Sequence, residues 1–348
     1  MNISRQPFGK ASNGEDAWLY ILQNGNTEVS VTNYGCTIVA IKTPDRYGKS
    51  ENIVLGFDSV EDYQSHQYLQ GCQYFGCIIG RVCNRISRGM FHLDGEGYYL
   101  AKNDGDRHLH GGLQGFDKKL WHPATIENKK DIGIELSYLS ADMEEGYPGN
   151  LQTLVRYVLN ETGELSIEYF ARTDKKTIIN LTNHTYFNLT GRRETILNHH
   201  LEINSSNIIE LNNLIPTGRI LDVSGTPYDF RKKTSIGARI DQLPDGYDIN
   251  YVLEQYDGNC NYACRLSEEQ TGRFVEVYTS QPGLQIYSGY YIPEMLFNGR
   301  KEFGRYAGFA IETQHYADSV HQPGFPSIVL CPADEYYQKT VCRFGVMN

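Results

Sequence analysis

Between residues 180 and 188 the sequence places a histidine, His184, in the middle of an alternating pattern of polar residues. Side chains two positions apart share one face of a β-strand, so the pattern predicts a strand with one polar face. That face consists of Asn180, Thr182, His184, Tyr186 and Asn188. Amides, hydroxyls and an imidazole can hydrogen-bond a polyhydroxylated ligand, and an imidazole can also transfer a proton near neutral pH. A solvated strand face with an incidental histidine explains the pattern equally well.

A carboxylate that could act together with His184 occurs in a second strand-like segment, residues 308–316. Glu312 shares its predicted face with Ala310, whose small side chain leaves room, while apolar residues occupy the other face. Such a carboxylate can lie at the floor of a cleft and accept a proton from a bound ligand. Because glutamates are mostly exposed, the competing interpretation is an edge-strand side chain that points into water.

Two further segments carry groups that suit a hydroxylated ligand. Residues 80–86 bring Asn84 and Arg85 side by side, and a planar guanidinium either grips sugar hydroxyls or forms a structural salt bridge. Residues 108–112 put His108 and His110 on one predicted strand face before a glycine turn. Taken alone, this histidine pair indicates metal binding as readily as sugar binding.

Two single polar residues complete the candidate set. Asp248 can accept hydrogen bonds from neighbouring hydroxyls, although an isolated aspartate in this context is more often a turn residue. Gln285 stands inside a predicted strand, where it is either a ligand contact or a solvated side chain.

The elements that must position these residues are mostly short strands separated by glycines and polar clusters. Residues 58–63 predict one short capped helix, and residues 160–163 predict a hairpin loop. The strand pattern is typical of an all-β protein of packed antiparallel sheets with very little helix, and we expect residues 1–348 to form a single domain. The predicted strands cover residues 27–41 with a break at 33–35, 151–159, 165–170, 178–189, 274–279, 284–290, 308–316 and 340–344.

Composition excludes several classes of function. The chain of 348 residues has a formal net charge of −10 and no basic run, so neither nucleic acid nor an anionic membrane is an expected partner. No apolar run is long enough to span a bilayer, and the N-terminal residues lack the apolar core of a secretory signal. We therefore expect a cytoplasmic protein, although a removed leader stays an open alternative.

Cysteine usage points to reduced thiols. The eight cysteines are sparse and form no CxxC pair, so we expect mostly buried, unpaired side chains. A zinc site on Cys72, Cys77 and Cys83 is the alternative, but their spacing differs from that of zinc knuckles and ribbons.

In combination, the segments resemble the galactose mutarotase family, also called the aldose 1-epimerase family. The resemblance extends from about residue 33 to residue 344, and the motifs follow the family's order along the chain. Each motif is weak alone, whereas the ordered set is specific. The motifs lie at residues 33–35, 80–86, 109–112, 146–151, 182–189, 246–248, 281–285, 312–316 and 325–327.

The resemblance implies a large antiparallel β-supersandwich with an open sugar cleft, without cofactor or metal. It implies interconversion of the α and β anomers of an aldohexose such as galactose or glucose. By motif, Glu312 corresponds to the catalytic base and His184 to the catalytic acid. The residues that correspond to substrate-positioning groups are Asn84, Arg85, His110, Asp248 and Gln285.

This chemistry requires two groups in opposite protonation states. A pyranose ring opens when a base removes the proton of the C1 hydroxyl and an acid protonates the ring oxygen. We expect Glu312 to begin as carboxylate and His184 as imidazolium, which predicts a bell-shaped dependence of activity on pH.

Two departures from the family pattern affect neither the proposed acid nor the proposed base. Ile249 replaces a histidine that often follows the aspartate corresponding to Asp248, which leaves open the substrate specificity of the cleft wall around Asp248. Residues 319–323 alter a loop. The alternative functions are a hexose-phosphate epimerase, a non-catalytic carbohydrate-binding protein, and a glycoside hydrolase that uses Asp248 and Glu312. The expected partner is a small aldohexose, and the expected assembly is a monomer or weak homodimer.

Overall fold

A computed structural model describes residues 1–71, 73–192, 194–297 and 300–347. Strands form most of the ordered structure, as the alternating patterns predict. In chain order they are β1 Asn2–Lys10, β2 Asp16–Asn24, β3 Thr27–Thr32, β4 Thr37–Pro44, β5 Ser50–Asn52, β6 Ile78–Ile79, β7 Arg85–Ile86, β8 Met90–Leu93, β9 Glu96–Tyr99, β10 His108–Leu109, β11 His122–Glu127, β12 Asp131–Ser140, β13 Leu151–Asn160, β14 Leu165–Thr173, β15 Thr177–Ile178, β16 Thr182–Asn183, β17 Tyr186–Phe187, β18 His200–Ile203, β19 Asn207–Asn212, β20 Ile215–Asp222, β21 Thr234–Ser235, β22 Asp248–Val252, β23 Asn261–Ser267, β24 Arg273–Thr279, β25 Gly283–Tyr287, β26 Glu294–Phe297, β27 Arg300–Phe303, β28 Phe309–Gln314, β29 Val329–Leu330 and β30 Tyr336–Val346.

Helix is confined to short segments. The two α-helices are α1, Val60–Tyr63, and α2, His66–Gly71. The side chain of Ser59 caps α1 by accepting a hydrogen bond from the Asp62 backbone N–H, which confirms the predicted capped helix. No helix in the described part of the chain is long and apolar enough to cross a membrane. Single 3₁₀ turns occur at Ser87–Gly89, Phe116–Lys118, Glu144–Gly146, Ile196–Asn198, Ile236–Ala238, Ile240–Gln242 and Ser319–His321.

Three antiparallel sheets organise the molecule. The nine-stranded sheet has the order β11-β12-β13-β14-β30-β24-β23-β18-β21, and the six-stranded sheet has the order β17-β28-β25-β22-β19-β20. Strands β1 to β5 form a five-stranded sheet in sequence order. The all-β supersandwich predicted from the sequence is confirmed.

The main hydrophobic core joins these sheets. Val155 and Tyr157 of β13 contribute to it from the nine-stranded sheet, and Leu284 and Ile286 of β25 contribute from the six-stranded sheet. Full burial of an aliphatic side chain of this size stabilises the fold by roughly 1.5–3 kcal/mol. This packing gives the six-stranded sheet a rigid apolar side, so its other side can carry polar groups.

The segment around His184 differs from its prediction. Residues 178–189 do not form one continuous strand but three two-residue strands, β15, β16 and β17, which pair with three different partners. Every residue from 177 to 190 is buried, so the segment has no solvated face. The strand expected at residues 27–41 is broken after Thr32, as the Asn33–Gly35 motif predicts.

The cysteines behave as expected. All seven described cysteines are free, and five of them are buried. The thiols of Cys77 and Cys83 donate to the Tyr74 carbonyl and to the Gln314 side chain, each over 3.2 Å, so they are not zinc thiolates. Cys72 lies outside the described residues.

Candidate active site

Three adjacent strands of the six-stranded sheet form the floor of the site. Glu312 of β28 lies directly opposite Gln285 of β25. The next strand, β22, begins with Asp248, and the Gln285 side-chain amide donates to the Asp248 carboxylate over 2.6 Å. Because these three side chains share one face of neighbouring strands, the sheet itself sets their spacing.

His184 lies between β16 and β17, where hydrogen bonds fix its backbone on both sides. Its N–H donates to the Cys77 carbonyl over 2.9 Å, and its carbonyl accepts from Gly76 over 3.0 Å. His184 is 3% exposed as a residue, and its Nε2 lies 3.4 Å from Oε1 of Glu312. The imidazole and the carboxylate therefore face each other, although 128 positions separate them in the sequence.

A second wall is built by the pairing of β7 with β10. This ladder sets Arg85 opposite Leu109, and the His110 N–H donates to the Asn84 carbonyl over 3.1 Å. Gly111 follows with φ +81°, where a side chain would collide with the Gly80 carbonyl, so only glycine allows this close approach. The ladder thus brings Asn84, Arg85 and His110 to the same edge of the cleft.

One hydrogen bond fixes the tautomer of His110. The backbone N–H of Asn84 donates to His110 Nδ1 over 3.1 Å, so the neutral ring carries its proton on Nε2. Burial lowers the pKa of His110 well below its ordinary value, which keeps the ring neutral. His110 therefore presents an N–H donor that suits a sugar hydroxyl.

The seven residues predicted from the sequence line one open cleft of about 820 Å³. A volume of this size lies within the usual range for small-molecule sites. Apolar side chains from β19, β20 and the segment before β22 also line this cleft, among them Leu211, Leu221 and Leu243. The structure therefore brings together groups that are scattered from Asn84 to Glu312 along the chain.

Burial dominates the electrostatics of the acid–base pair. It raises the pKa of Glu312 well above its ordinary value, and nearby Asp248 raises it further, while Arg85 opposes the shift. Burial also lowers the pKa of His184 to about 4. Burial thus favours the uncharged form of each group, a carboxylic acid beside a neutral imidazole, over the expected carboxylate and imidazolium when no sugar is bound.

Both members of this pair have an unsatisfied polar atom. Nδ1 of His184 and Oε2 of Glu312 are buried and have no hydrogen-bond partner among the described residues. Buried polar atoms without partners are rare in folded proteins, because each one loses its hydration without replacement. A polar ligand in the cleft would supply the missing partners.

Two tyrosines line the site in addition to the seven predicted residues, and sequence reasoning missed one of them, Tyr74. The ring centroid of Tyr186 lies 4.9 Å from that of His184. The ring centroid of Tyr74 lies 4.6 Å from that of His110 and 5.9 Å from that of His184. Both tyrosines line the cleft. Tyr186 belongs to the polar set around His184, whereas nothing in the local sequence distinguishes Tyr74 from a core tyrosine.

Other members of the predicted polar face do not reach the cleft. The Asn180 amide exchanges hydrogen bonds with the backbone of His315, and the Asn188 amide donates to the carbonyls of Glu194 and Ala307. These side chains tie loops together, so the prediction of one ligand-binding strand face is wrong for them. Thr182 is fully buried and is also absent from the cleft lining.

Of the two histidines in residues 108–112, only one reaches the cleft. His108 is fully buried, and its two ring nitrogens contact the Ala101 carbonyl and the Tyr147 hydroxyl, each over 2.7 Å. Only His110 faces the cleft, so the prediction that both rings share one face is wrong.

The cleft offers one set of potential metal ligands, which are His110, His184 and Glu312, with ligand atoms within 4.8 Å of one another. This set does not fit a metal well. The Nδ1 lone pair of His110 accepts from Asn84, and its Nε2 carries the proton, so neutral His110 has no free lone pair to donate.

Of the two departures from the family pattern, Ile249 concerns the cleft directly. It lies beside Asp248 in β22, is 5% exposed, and belongs to both the cleft lining and the main core. Its register with Ile286 and Ile311 sets its side chain on the core face of the sheet, so it adds no polar group beside Asp248.

Comparison with known proteins identifies the family of this chain. A sequence model of the aldose 1-epimerase family matches residues 19–343. Galactose mutarotase from Bos taurus is 40% identical over 352 residues and covers 99% of each chain, and aldose 1-epimerase from Escherichia coli K12 is 31% identical with 94% coverage of each. The crystal structure of galactose 1-epimerase from Lactobacillus acidophilus aligns over both complete chains with a TM-score of 0.86 and 27% identity.

Proposed function

The chain belongs to the aldose 1-epimerase family and is an aldose 1-epimerase, and we propose that Glu312 and His184 carry out its chemical step. The observation that supports this assignment most strongly is their arrangement at the floor of the cleft. A buried imidazole and a buried carboxylate lie 3.4 Å apart, each with an unsatisfied atom. A bound hexose offers hydroxyl and ring oxygens to both.

The proposed reaction balances its protons within this pair. Glu312 as carboxylate removes the proton of the C1 hydroxyl while imidazolium His184 protonates the ring oxygen, and the C1–ring oxygen bond breaks to leave an aldehyde. Rotation about the C1–C2 bond presents the other carbonyl face. Ring closure reverses both transfers and restores the enzyme, so no other reactant is consumed.

The active form of the pair contains the same number of protons as its resting form. Transfer of one proton from Glu312 to His184 converts the neutral pair into carboxylate and imidazolium. Sugar hydroxyls that donate to the carboxylate favour the charged form, and the nearby Arg85 guanidinium acts in the same direction. We therefore propose that substrate binding completes the activation of the pair.

Five other residues bind and orient the sugar in this proposal. His110 offers its Nε2–H, Arg85 and Asn84 offer guanidinium and amide donors, and Asp248 with Gln285 accepts and donates at the floor. A few fixed polar groups in a cleft are the usual means of orienting a small ligand. The set is Asn84, Arg85, His110, Asp248 and Gln285.

A neutral aldohexose, such as galactose or glucose, is the proposed substrate. Arg85 is the only arginine or lysine among the described residues that line the cleft, and Asp104 and Asp248 lie next to it. A sugar phosphate would need positive charge that is not already balanced, so this arrangement disfavours the hexose-phosphate alternative. The single-domain organisation, the monomeric or weakly dimeric state and the cytoplasmic location stay predictions.

Polarimetry tests this proposal. Freshly dissolved α-galactose and α-glucose should lose optical rotation faster with enzyme than in buffer alone, whereas glucose 6-phosphate should show little acceleration. His184→Asn and Glu312→Ala should each abolish most of the acceleration. Equal acceleration by the wild type and Glu312→Ala would contradict the assigned roles, and a preference for the phosphate would favour the alternative function.

A further inference from the structure

We infer that Asp104 is a positioning residue, whose carboxylate holds the guanidinium of Arg85 in place for the sugar, and that Arg107 ties this carboxylate to the rim of the cleft. The inference rests on the proposed function, because it explains how one proposed substrate-binding residue is held. Neither Asp104 nor Arg107 lines the cleft.

The contact between Asp104 and Arg85 is short and partly shielded. Nε of Arg85 donates to Oδ2 of Asp104 over 2.7 Å, and the two side chains are 14% and 25% exposed. Asp104 is itself fixed, because its backbone and that of Arg107 exchange hydrogen bonds of 3.2 and 3.1 Å. A charged pair with this geometry restricts the orientation of the guanidinium plane.

Arg107 extends the contact to a second part of the cleft lining. Its Nη2 lies 3.2 Å from Oδ2 of Asp104, and its Nη1 donates to the Asn213 carbonyl over 2.7 Å. Asn213 and Leu214 form the turn between β19 and β20 and line the cleft. Asp104 therefore bridges two arginines, one at the rim and one at the sugar.

Arg85 also connects this series of charged residues to Asp248 at the floor of the cleft. Nη1 of Arg85 lies 3.9 Å from Oδ2 of Asp248. The other oxygen of this carboxylate, Oδ1, accepts from Gln285, the cross-strand neighbour of Glu312. Asp104 therefore holds the Nε edge of the guanidinium, while Nη1 is the nitrogen that lies near Asp248. Without Asp104, we expect the guanidinium to shift toward Asp248 and to close part of the space that sugar hydroxyls need.

The most direct test is Asp104→Asn, which keeps the shape of the side chain and removes its charge. We expect KM for α-galactose to rise about tenfold, the lower end of the effect of losing a supporting carboxylate in metal sites. We expect kcat to stay within about twofold of wild type, because uniform binding affects KM alone. Asp106→Asn, the same change at an exposed position of the same loop, is the matched control and should leave both constants unchanged.

A double-mutant cycle separates positioning from general loss of structure. If Asp104 acts through Arg85, Asp104→Asn should add little to the KM of Arg85→Lys. Multiplying effects on KM would overturn the inference, as would an Asp104→Asn enzyme whose KM equals that of Asp106→Asn. Should Asp104→Asn fail to fold, Asp104→Glu retains the charge at a different length and should raise KM in the same way. Failure of the proposed function would appear separately, as wild-type activity in Glu312→Ala.

Discussion

Two buried polar clusters, one around Arg81 and His108 and the other around His184 and Glu312 in the cleft, show how differently burial is used in this protein. In one cluster Arg81 donates to Ser140 Oγ and to three backbone carbonyls over 2.7–3.0 Å, and His108 has partners at both ring nitrogens. In the cleft, His184 and Glu312 are equally buried but retain unsatisfied atoms. The first cluster is complete without a ligand, whereas the second becomes complete only with one.

The comparison teaches that burial alone does not identify a functional residue. His108 and His184 both have a pKa below the ordinary histidine value, and burial is the main cause for each. The difference lies in their partners. A buried group is saturated when all its hydrogen-bonding atoms have partners, and such a group contributes to stability. A buried group with an unsatisfied atom is unsaturated, which costs stability but leaves the group available for chemistry.

The largest expected effect is at the unsaturated pair. Glu312→Gln should lower the rate of mutarotation by about 10²–10⁴-fold, the usual contribution of a positioned general base. The thermal unfolding midpoint should not fall, because the raised pKa of Glu312 means that burial of this carboxyl opposes folding above its ordinary pKa. Polarimetry and thermal melting of the same sample check both parts. A large loss of stability would place Glu312 with the structural cluster instead.

The pH dependence distinguishes a shared proton from two independent groups. The singly protonated pair should persist over a wide range, so the rate should fall on the acid side near pH 4, where His184 takes up a second proton. On the alkaline side the rate should fall only well above the ordinary pKa of glutamate, because the pKa of Glu312 is raised. Rates measured from pH 3 to 10 in buffers of constant ionic strength check this, after subtraction of the uncatalysed reaction. Loss of activity between pH 6 and 7 would indicate an independently titrating imidazolium.

The saturated cluster should show the opposite response. Arg81→Met removes four hydrogen bonds, although the Ala141 carbonyl keeps the Glu144 N–H and the Ser140 hydroxyl keeps the Glu144 carboxylate as partners. Each acceptor left buried and unsatisfied costs about 1–3 kcal/mol, so we expect the free energy of unfolding to fall by about 3 kcal/mol. Denaturant titration measures this change. Arg172→Met, at a side chain that is 70% exposed, is the matched control and should cost little. A stable Arg81→Met protein would show that the cluster is not structural.

A smaller structural effect is expected at Tyr147→Phe. This change removes the hydroxyl that contacts His108 Nε2 and should lower the free energy of unfolding by about 1–3 kcal/mol. Both kcat and KM should stay at wild-type values, since neither residue lines the cleft. Denaturant titration and steady-state polarimetry check the two statements, with the exposed Tyr99→Phe as control. A reduced kcat in Tyr147→Phe would show that the His108 cluster also affects catalysis, which would contradict the division between the clusters.

Much of the site could be predicted from the sequence because its residues lie in short motifs with recognisable order. The seven predicted residues, from Asn84 to Glu312, line one cleft. The motifs could not reveal which of their side chains point into the cleft. Arg81 and Arg85 are four residues apart in one motif, yet only the pairing of β7 with β10 decides that Arg85 faces the cleft.

The fold class followed from alternation, but the local prediction around His184 failed for a physical reason. Period-two alternation assumes a continuous strand with two faces, and here residues 177–190 are buried on all sides among three different strand partners. Amides such as Asn180 then satisfy loop backbones instead of a ligand. The protonation of the pair was also beyond the sequence, because it depends on burial that only packing determines.

The most direct test of the central claim is the rate of optical-rotation decay for fresh α-galactose with His184→Asn, Glu312→Gln and the double variant. If the two side chains act as one proton-transfer unit, each single change should remove most of the acceleration, and the double variant should be little worse than the poorer single variant. Losses that multiply in the double variant, or a single variant that keeps wild-type activity, would contradict the account.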